Sequence, residues 1–156
     1  MRYWIDKVLS NVLVFLMAVM VASVSWQVIS RYILNDPSSI TEELARYLLV
    51  WIGILGAAYA SGQKAHIAIT LFPDKLSPDR RKILDVVLYC IIILFAITAL
   101  VIGGSRLVYI TYKLGQESAS LNLPLFIVYS VVPLSGLLII AYKLLDIFNQ
   151  KSTSHE

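Results

Sequence analysis

The sequence predicts an all-α integral membrane protein: four transmembrane helices, both termini cytoplasmic, and a short interfacial segment in the cytoplasmic loop. Three observations carry that class. Of 156 residues, 58% are hydrophobic and only 15% charged, where a soluble domain carries about a quarter charged residues. Four stretches hold no Asp, Glu, Lys or Arg: Val8 to Ser30, Tyr47 to Gln63, Val86 to Ser105 and Ser118 to Tyr142. Each meets the roughly 17–20 residues that a helix needs to cross a bilayer core. Third, Lys and Arg are unevenly shared: nine lie in the N-terminus, second loop and tail, against four in the other two loops. Basic residues accumulate on the cytoplasmic side, which sets the orientation.

The spans are expected at about 8–33, 42–63, 80–106 and 124–143, forming one membrane domain over residues 1–150, with 151–156 as a cytoplasmic tail. No water reaches hydrocarbon to satisfy backbone N–H and C=O groups, so each span must be helical. The first follows Arg2 and Lys7 and is too long for the core of a signal peptide, so an uncleaved helix is expected. The second is expected to begin at Ser39, where Ser39-Ile40-Thr41-Glu42 fits a capping box. Glu42 and Arg46 then form an i,i+4 pair in the favoured order, and Glu42 and Glu43 sit at the positive end of the helix dipole.

The second loop divides in two. His66 to Phe72 is apolar but too short to cross, which suits a segment lying along the headgroups. Ser77-Pro78 reads as an N-cap followed by proline at the first helical position. The third helix then runs from Pro78 to Leu114 and stops at Gly115. That is roughly 55 Å at 1.5 Å per residue, so the helix tilts or protrudes. Arg80, Arg81 and Lys82 on its first turn face anionic phospholipid headgroups. In the fourth span Pro133 is expected to kink the helix.

The composition also excludes chemistry. Cys90 is the only cysteine, so neither a disulfide nor a cysteine metal motif is possible within the chain. His66 and His155 are the only histidines, and His155 falls in the tail. No nucleophile–base pair, P-loop or zinc spacing appears, and the spans carry no interior charge of the kind that marks a transport site. No enzyme activity, metal, cofactor or nucleic-acid partner is expected. Gly53, Gly56, Ala57 and Ala60 do form a smooth stripe at i, i+3, i+4 and i+7. Small residues at that spacing let helices approach closely in lipid. Packing within the four-helix domain is the expectation, with a seam for another membrane protein as the alternative.

In order along the chain come Arg31-Tyr32 after the first helix, Glu42-Glu43 before the second, Trp51 with the Gly53/Gly56 run, and His66-Ile67 at its exit. This pattern resembles the small membrane subunit (DctQ-like) of tripartite ATP-independent periplasmic (TRAP) transporters. The resemblance extends over nearly the whole chain in length, span number and orientation. It implies a non-enzymatic subunit of a sodium-driven uptake system for organic acids, of the C4-dicarboxylate or sialic acid class, in a bacterial inner membrane. Its implied partners are a large membrane subunit, which holds the substrate and sodium sites, and a soluble periplasmic binding protein. Arg31, Tyr32, Glu42, Glu43, Arg46, Trp51 and His66 are the candidate partner-facing residues. Two other classes stay open at this point: a small membrane-anchor or redox-enzyme subunit, and a self-sufficient oligomeric transporter. The first lacks a ligating set, since one histidine near a span cannot supply bis-histidine ligation. The second lacks a polar pore face.

Overall fold

The computed structural model describes the backbone of residues 2–63 and 78–152, and the side chains of 2–63 and 84–147. His66, the segment His66–Phe72 and the side chains of Arg80, Arg81 and Lys82 therefore lie outside the described residues. Helix α1 spans Arg2–Tyr32 and α2 spans Ser39–Gly62. Helix α3, Pro78–Phe95, passes without a break into a π-helical stretch, Ala96–Gly103, and then into α4, Gly104–Lys113. Helix α5, Leu125–Tyr129, and α6, Val131–Ser152, make up the last span. Four helical runs are long and apolar enough to cross a membrane: Arg2–Tyr32, Ser39–Gly62, Leu84–Lys113 and Leu125–Ile147. The predicted all-α class with four spans holds.

Local chemistry explains the helix ends, with one shift of register. The N-cap of α2 is Ser38 rather than Ser39: its hydroxyl accepts the Thr41 N–H at 3.4 Å, so the capping box with Glu42 does not form. Glu42 instead bonds Arg46 at 3.1 Å, as its spacing predicts. The third span ends as expected. Leu114 closes it, and Gly115 follows at φ +57°, a left-handed conformation that glycine adopts without steric cost. In the fourth span the break falls at Ser130, three residues before Pro133. Proline offers no N–H to the Tyr129 carbonyl and crowds it, so α5 ends there and the ladder resumes at Leu134 N–H to Ser130 C=O, 3.3 Å. The indole N–H of Trp51 donates to the Val128 carbonyl at that break, 3.1 Å away. Neighbouring helices commonly re-satisfy groups freed by a membrane proline.

The π-helical stretch was not legible in the sequence. Thr98 Oγ1 donates back to the Leu94 carbonyl at 2.8 Å just where the turns widen, a kind of side-chain bond that bends helices. The fourth span lies against this stretch. A Cβ added at Gly136 would sit 2.8 Å from Leu100 Cβ and 3.3 Å from the Ala96 carbonyl oxygen, and one added at Gly104 would sit 2.8 Å from Val132 Cγ1. These two glycines are where backbones approach.

The spans pack as a row: first against second, second against fourth, fourth against third. The fourth is therefore central, with 28% of its apolar stretch buried against 6% for the first. Leu9, Leu55, Val131 and Tyr142 form the shared core. Most other large apolar side chains point outward, including Phe15, Val21, Ile91 and Leu94. In water such a surface would aggregate; in lipid it is the solvated face.

Candidate functional site

The bundle has two polar ends, and they are built differently. At one end lie both termini of the described chain. Arg2 at the start of α1 bonds Asp146 near the end of α6 at 2.6 Å and also donates to the Gly62 carbonyl at the end of α2. Tyr142 donates to Asp6 at 2.6 Å, and Lys143 donates to the Ser61 carbonyl at 2.8 Å while lying 3.8 Å from Asp146. Lys143 also stands 5.3 Å over the ring of Tyr89 from the third span, a cation–π contact. The charge count placed Lys143, at the end of the expected fourth span, with the basic residues of the tail. The helix runs on past it, however, and side-chain exposure is 5% for Lys143 and 3% for Asp146. Two cations, two carboxylates and the free carbonyls of α2 thus neutralise one another between all four spans.

At the opposite end are the two connections 33–38 and 114–124, with most of the predicted partner-facing residues. They separate into two groups. Arg31, Tyr32, Glu42 and Arg46 are exposed. Glu42 lies 3.8 Å from Arg31 and 3.1 Å from Arg46, linking α1 to α2 across the surface. Exposed pairs of this kind are worth about 0–1 kcal/mol, so the trio orders the surface rather than holding the fold.

Glu43 and Trp51 face inward. Trp51 serves the helix break described above. Glu43 reaches across to the other connection: its Oε1 accepts Tyr47 O–H at 2.7 Å and Ala119 N–H at 3.1 Å, and its Oε2 accepts Ser120 N–H at 2.8 Å and Leu121 N–H at 3.1 Å. Three successive amides converging on one carboxylate make an anion-binding nest, here filled from within the chain. The nest was not legible in the sequence, because backbone amides carry no residue signature.

The small-residue stripe also lies differently from the expectation of internal packing. Gly53, Ala57 and Ala60 are exposed and Gly56 half-exposed, and among the described residues nothing comes within 4 Å of a Cβ placed at Gly53 or Gly56. The inward face of α2 carries Leu55, Ala58 and Gly62 instead. At helical spacing the stripe continues through Leu49 to Arg46 and Glu42, so one outward face of α2 is smooth and capped by charge.

The cavities match this division. One, about 560 Å³, is an open groove lined by Trp4, Ile5, Val8, Leu9, Val12, Trp51, Leu55, Leu134 and Leu138. It offers no charged side chain to an organic acid, and the Trp51 N–H is already committed to Val128. Among the described residues no cluster of three His, Cys, Asp or Glu could hold a metal ion.

The chain is similar in sequence to known proteins. Residues 20–152 match the family described as tripartite ATP-independent periplasmic transporters, DctQ component. The sialic acid TRAP transporter small permease protein SiaQ of Vibrio cholerae is 32% identical over 154 residues, covering 96% of this chain and 84% of that protein. A putative TRAP transporter small permease protein of Haemophilus influenzae is 29% identical over 141 residues, covering 90% of this chain and 86% of the relative. The ectoine TRAP transporter small permease protein TeaB of Halomonas elongata is 28% identical over 136 residues, covering 86% and 69%. With four apolar spans, no interior charge between their polar ends and this match across most of its length, the chain belongs to the DctQ family, the non-catalytic small permease subunits of TRAP transporters.

Proposed function

We propose that this chain braces the large membrane subunit of a sodium-coupled uptake system for an organic acid and helps dock the substrate-loaded periplasmic binding protein. The observation that carries the proposal is the outward face of α2. Gly53, Gly56, Ala57 and Ala60 present bare backbone to the membrane, below the Arg31–Glu42–Arg46 cluster. A smooth strip allows close helix approach where lipid tails supply no hydrophobic drive, and the charged cap fixes register. The substrate sites then belong to the partner, in keeping with an apolar groove here that lacks any charged group. Sialic acid is the substrate class named for the relative from Vibrio cholerae, and an acidic sugar falls within the organic acids proposed.

Reconstituted alone in proteoliposomes with an inward sodium gradient, the chain accumulates no organic acid. Uptake appears when the large subunit and the loaded binding protein are added and fails when this chain is left out. Sodium-dependent accumulation by the purified chain alone would overturn the proposal.

The end bearing the 33–38 and 114–124 connections is proposed to be periplasmic and the termini cytoplasmic, on the nine-to-four distribution of basic residues. In a chain with Cys90→Ser, cysteines at Ser39 and Ala119, both exposed, react with an impermeant thiol reagent in intact cells with a permeabilised outer membrane. A cysteine at Ser77 reacts only once the inner membrane is opened. The reverse labelling would invert the orientation.

A further inference from the structure

We propose that Glu43 is a positioning residue for docking: by filling the amide nest of Ala119–Leu121 it holds the 116–124 turn as a rigid surface for the soluble binding protein. The inference rests on the docking role proposed above and assigns it to a connection in which the sequence marked no residue.

Glu43 is badly placed to meet a partner itself. Both carboxylate oxygens are engaged by two donors each, all from within the chain. What it controls is the turn. Ser118 N–H donates to the Leu123 carbonyl at 2.9 Å, Leu123 N–H to Ser118 Oγ at 3.3 Å, and Leu125 N–H to the Gln116 carbonyl at 2.9 Å. Ser118 is buried beneath, and Asn122 turns the chain at φ 50°. Left exposed are Gln116, Glu117, Ala119, Asn122 and Leu123.

Such a turn has its polar backbone satisfied from below and its side chains offered outward. A loop held in one shape loses less freedom on binding than a loose one, and that difference appears as affinity. Charge assistance makes a carboxylate the strongest neutralising group for three aligned amide dipoles. An amide in its place would set an NH₂ donor against N–H donors.

The test uses the complex of this chain with its large subunit in lipid nanodiscs, titrated with the substrate-loaded binding protein of the same transporter. Glu43→Gln is expected to weaken docking about tenfold while co-purification with the large subunit stays at the wild-type level. Asn122→Gly keeps the positive φ but frees the backbone, and is expected to weaken docking about threefold. Leu123→Glu, at the exposed tip, is expected to abolish it.

Wild-type docking by Glu43→Gln and Asn122→Gly, with docking lost in Leu123→Glu, overturns the positioning role and leaves the docking role standing. Wild-type docking by all three removes both. Should Glu43→Gln fail to assemble, Asn122→Gly decides alone, and undiminished docking by it overturns the proposal.

Discussion

Gly136→Leu is expected to prevent recovery of a folded chain, whereas Gly56→Leu is expected to leave the isolated chain intact and abolish its assembly with the large subunit. Both replace a glycine in a membrane helix, and the sequence alone would rank Gly56 as the more sensitive. The distances reverse that order. At Gly136 the first added carbon already lies 2.8 Å from Leu100 Cβ and 2.9 Å from Val101 Cγ2, with the Ala96 carbonyl at 3.3 Å. Two of those contacts are anchored close to backbone and cannot swing away. Overpacking of a close-packed interior costs about 1–3 kcal/mol and occasionally more, and leucine adds three carbons beyond the one that already collides. The fourth span is central in the row, so displacing it from the π-helical stretch loosens the second and third spans together. At Gly56 nothing among the described residues lies within 4 Å of the added carbon, and a change that touches nothing is usually within about 0.5 kcal/mol. The measurement is thermal unfolding of the purified chain in detergent, paired with co-purification of the large subunit. Wild-type unfolding by Gly136→Leu would mean that the third and fourth spans do not cross so closely. Normal assembly by Gly56→Leu would mean that the stripe faces lipid alone.

The contrast between those glycines shows where sequence reasoning stops. Hydropathy is a property of a segment, so four charge-free stretches were enough to find four spans, and Gly115 and Pro133 were enough to find a helix end and a break. Periodicity is a property of one helix. It places Gly53, Gly56, Ala57 and Ala60 on a common face but cannot say whether that face meets the fourth span or the outside, because either arrangement suits small residues. Gly62, Gly104 and Gly136 form no pattern with one another, yet they are the sites where an added carbon would come within 3 Å of another element. Their meaning lies in the facing element, which no local window contains. Glu43 repeats the lesson at the loop end. It sits beside Glu42 in the chain and reads as its twin, but one helical step of 100° turns it from the surface towards residues 119–121. The charges at the other end were individually visible and collectively hidden, since Arg2, Asp6, Lys143 and Asp146 come from opposite ends of the sequence.

That cluster carries the other large effect. Asp146→Leu alone is expected to destabilise the chain by about 3–5 kcal/mol, the usual cost of removing one partner from a buried ion pair. Asp146 has 3% side-chain exposure and receives Arg2 at 2.6 Å with Lys143 at 3.8 Å. Without it two cations remain between helices, left facing the α2 carbonyls and Asp6. Arg2 is the partner to exchange, because its guanidinium meets both Asp146 and the end of α2. In the double variant Arg2→Met, Asp146→Leu the buried charge and its counter-charge leave together. Replacement of a complete pair by apolar groups of similar size is often neutral, so the double variant is expected to be more stable than Asp146→Leu alone. Residual cost remains, since Asp6 keeps Tyr142 but loses Arg2, and Lys143 keeps Ser61 but loses Asp146. Reversible unfolding of the wild type, Asp146→Leu, Arg2→Met and the double variant in mixed micelles measures the coupling. If Asp146→Leu costs no more than about 1 kcal/mol, the value of an exposed pair, then water reaches the cluster and it is not the bolt that ties the termini to the second and fourth spans. A large single-variant loss recovered in the double variant would show the opposite: four helices insulated by lipid along their length are held in register by charge at one end.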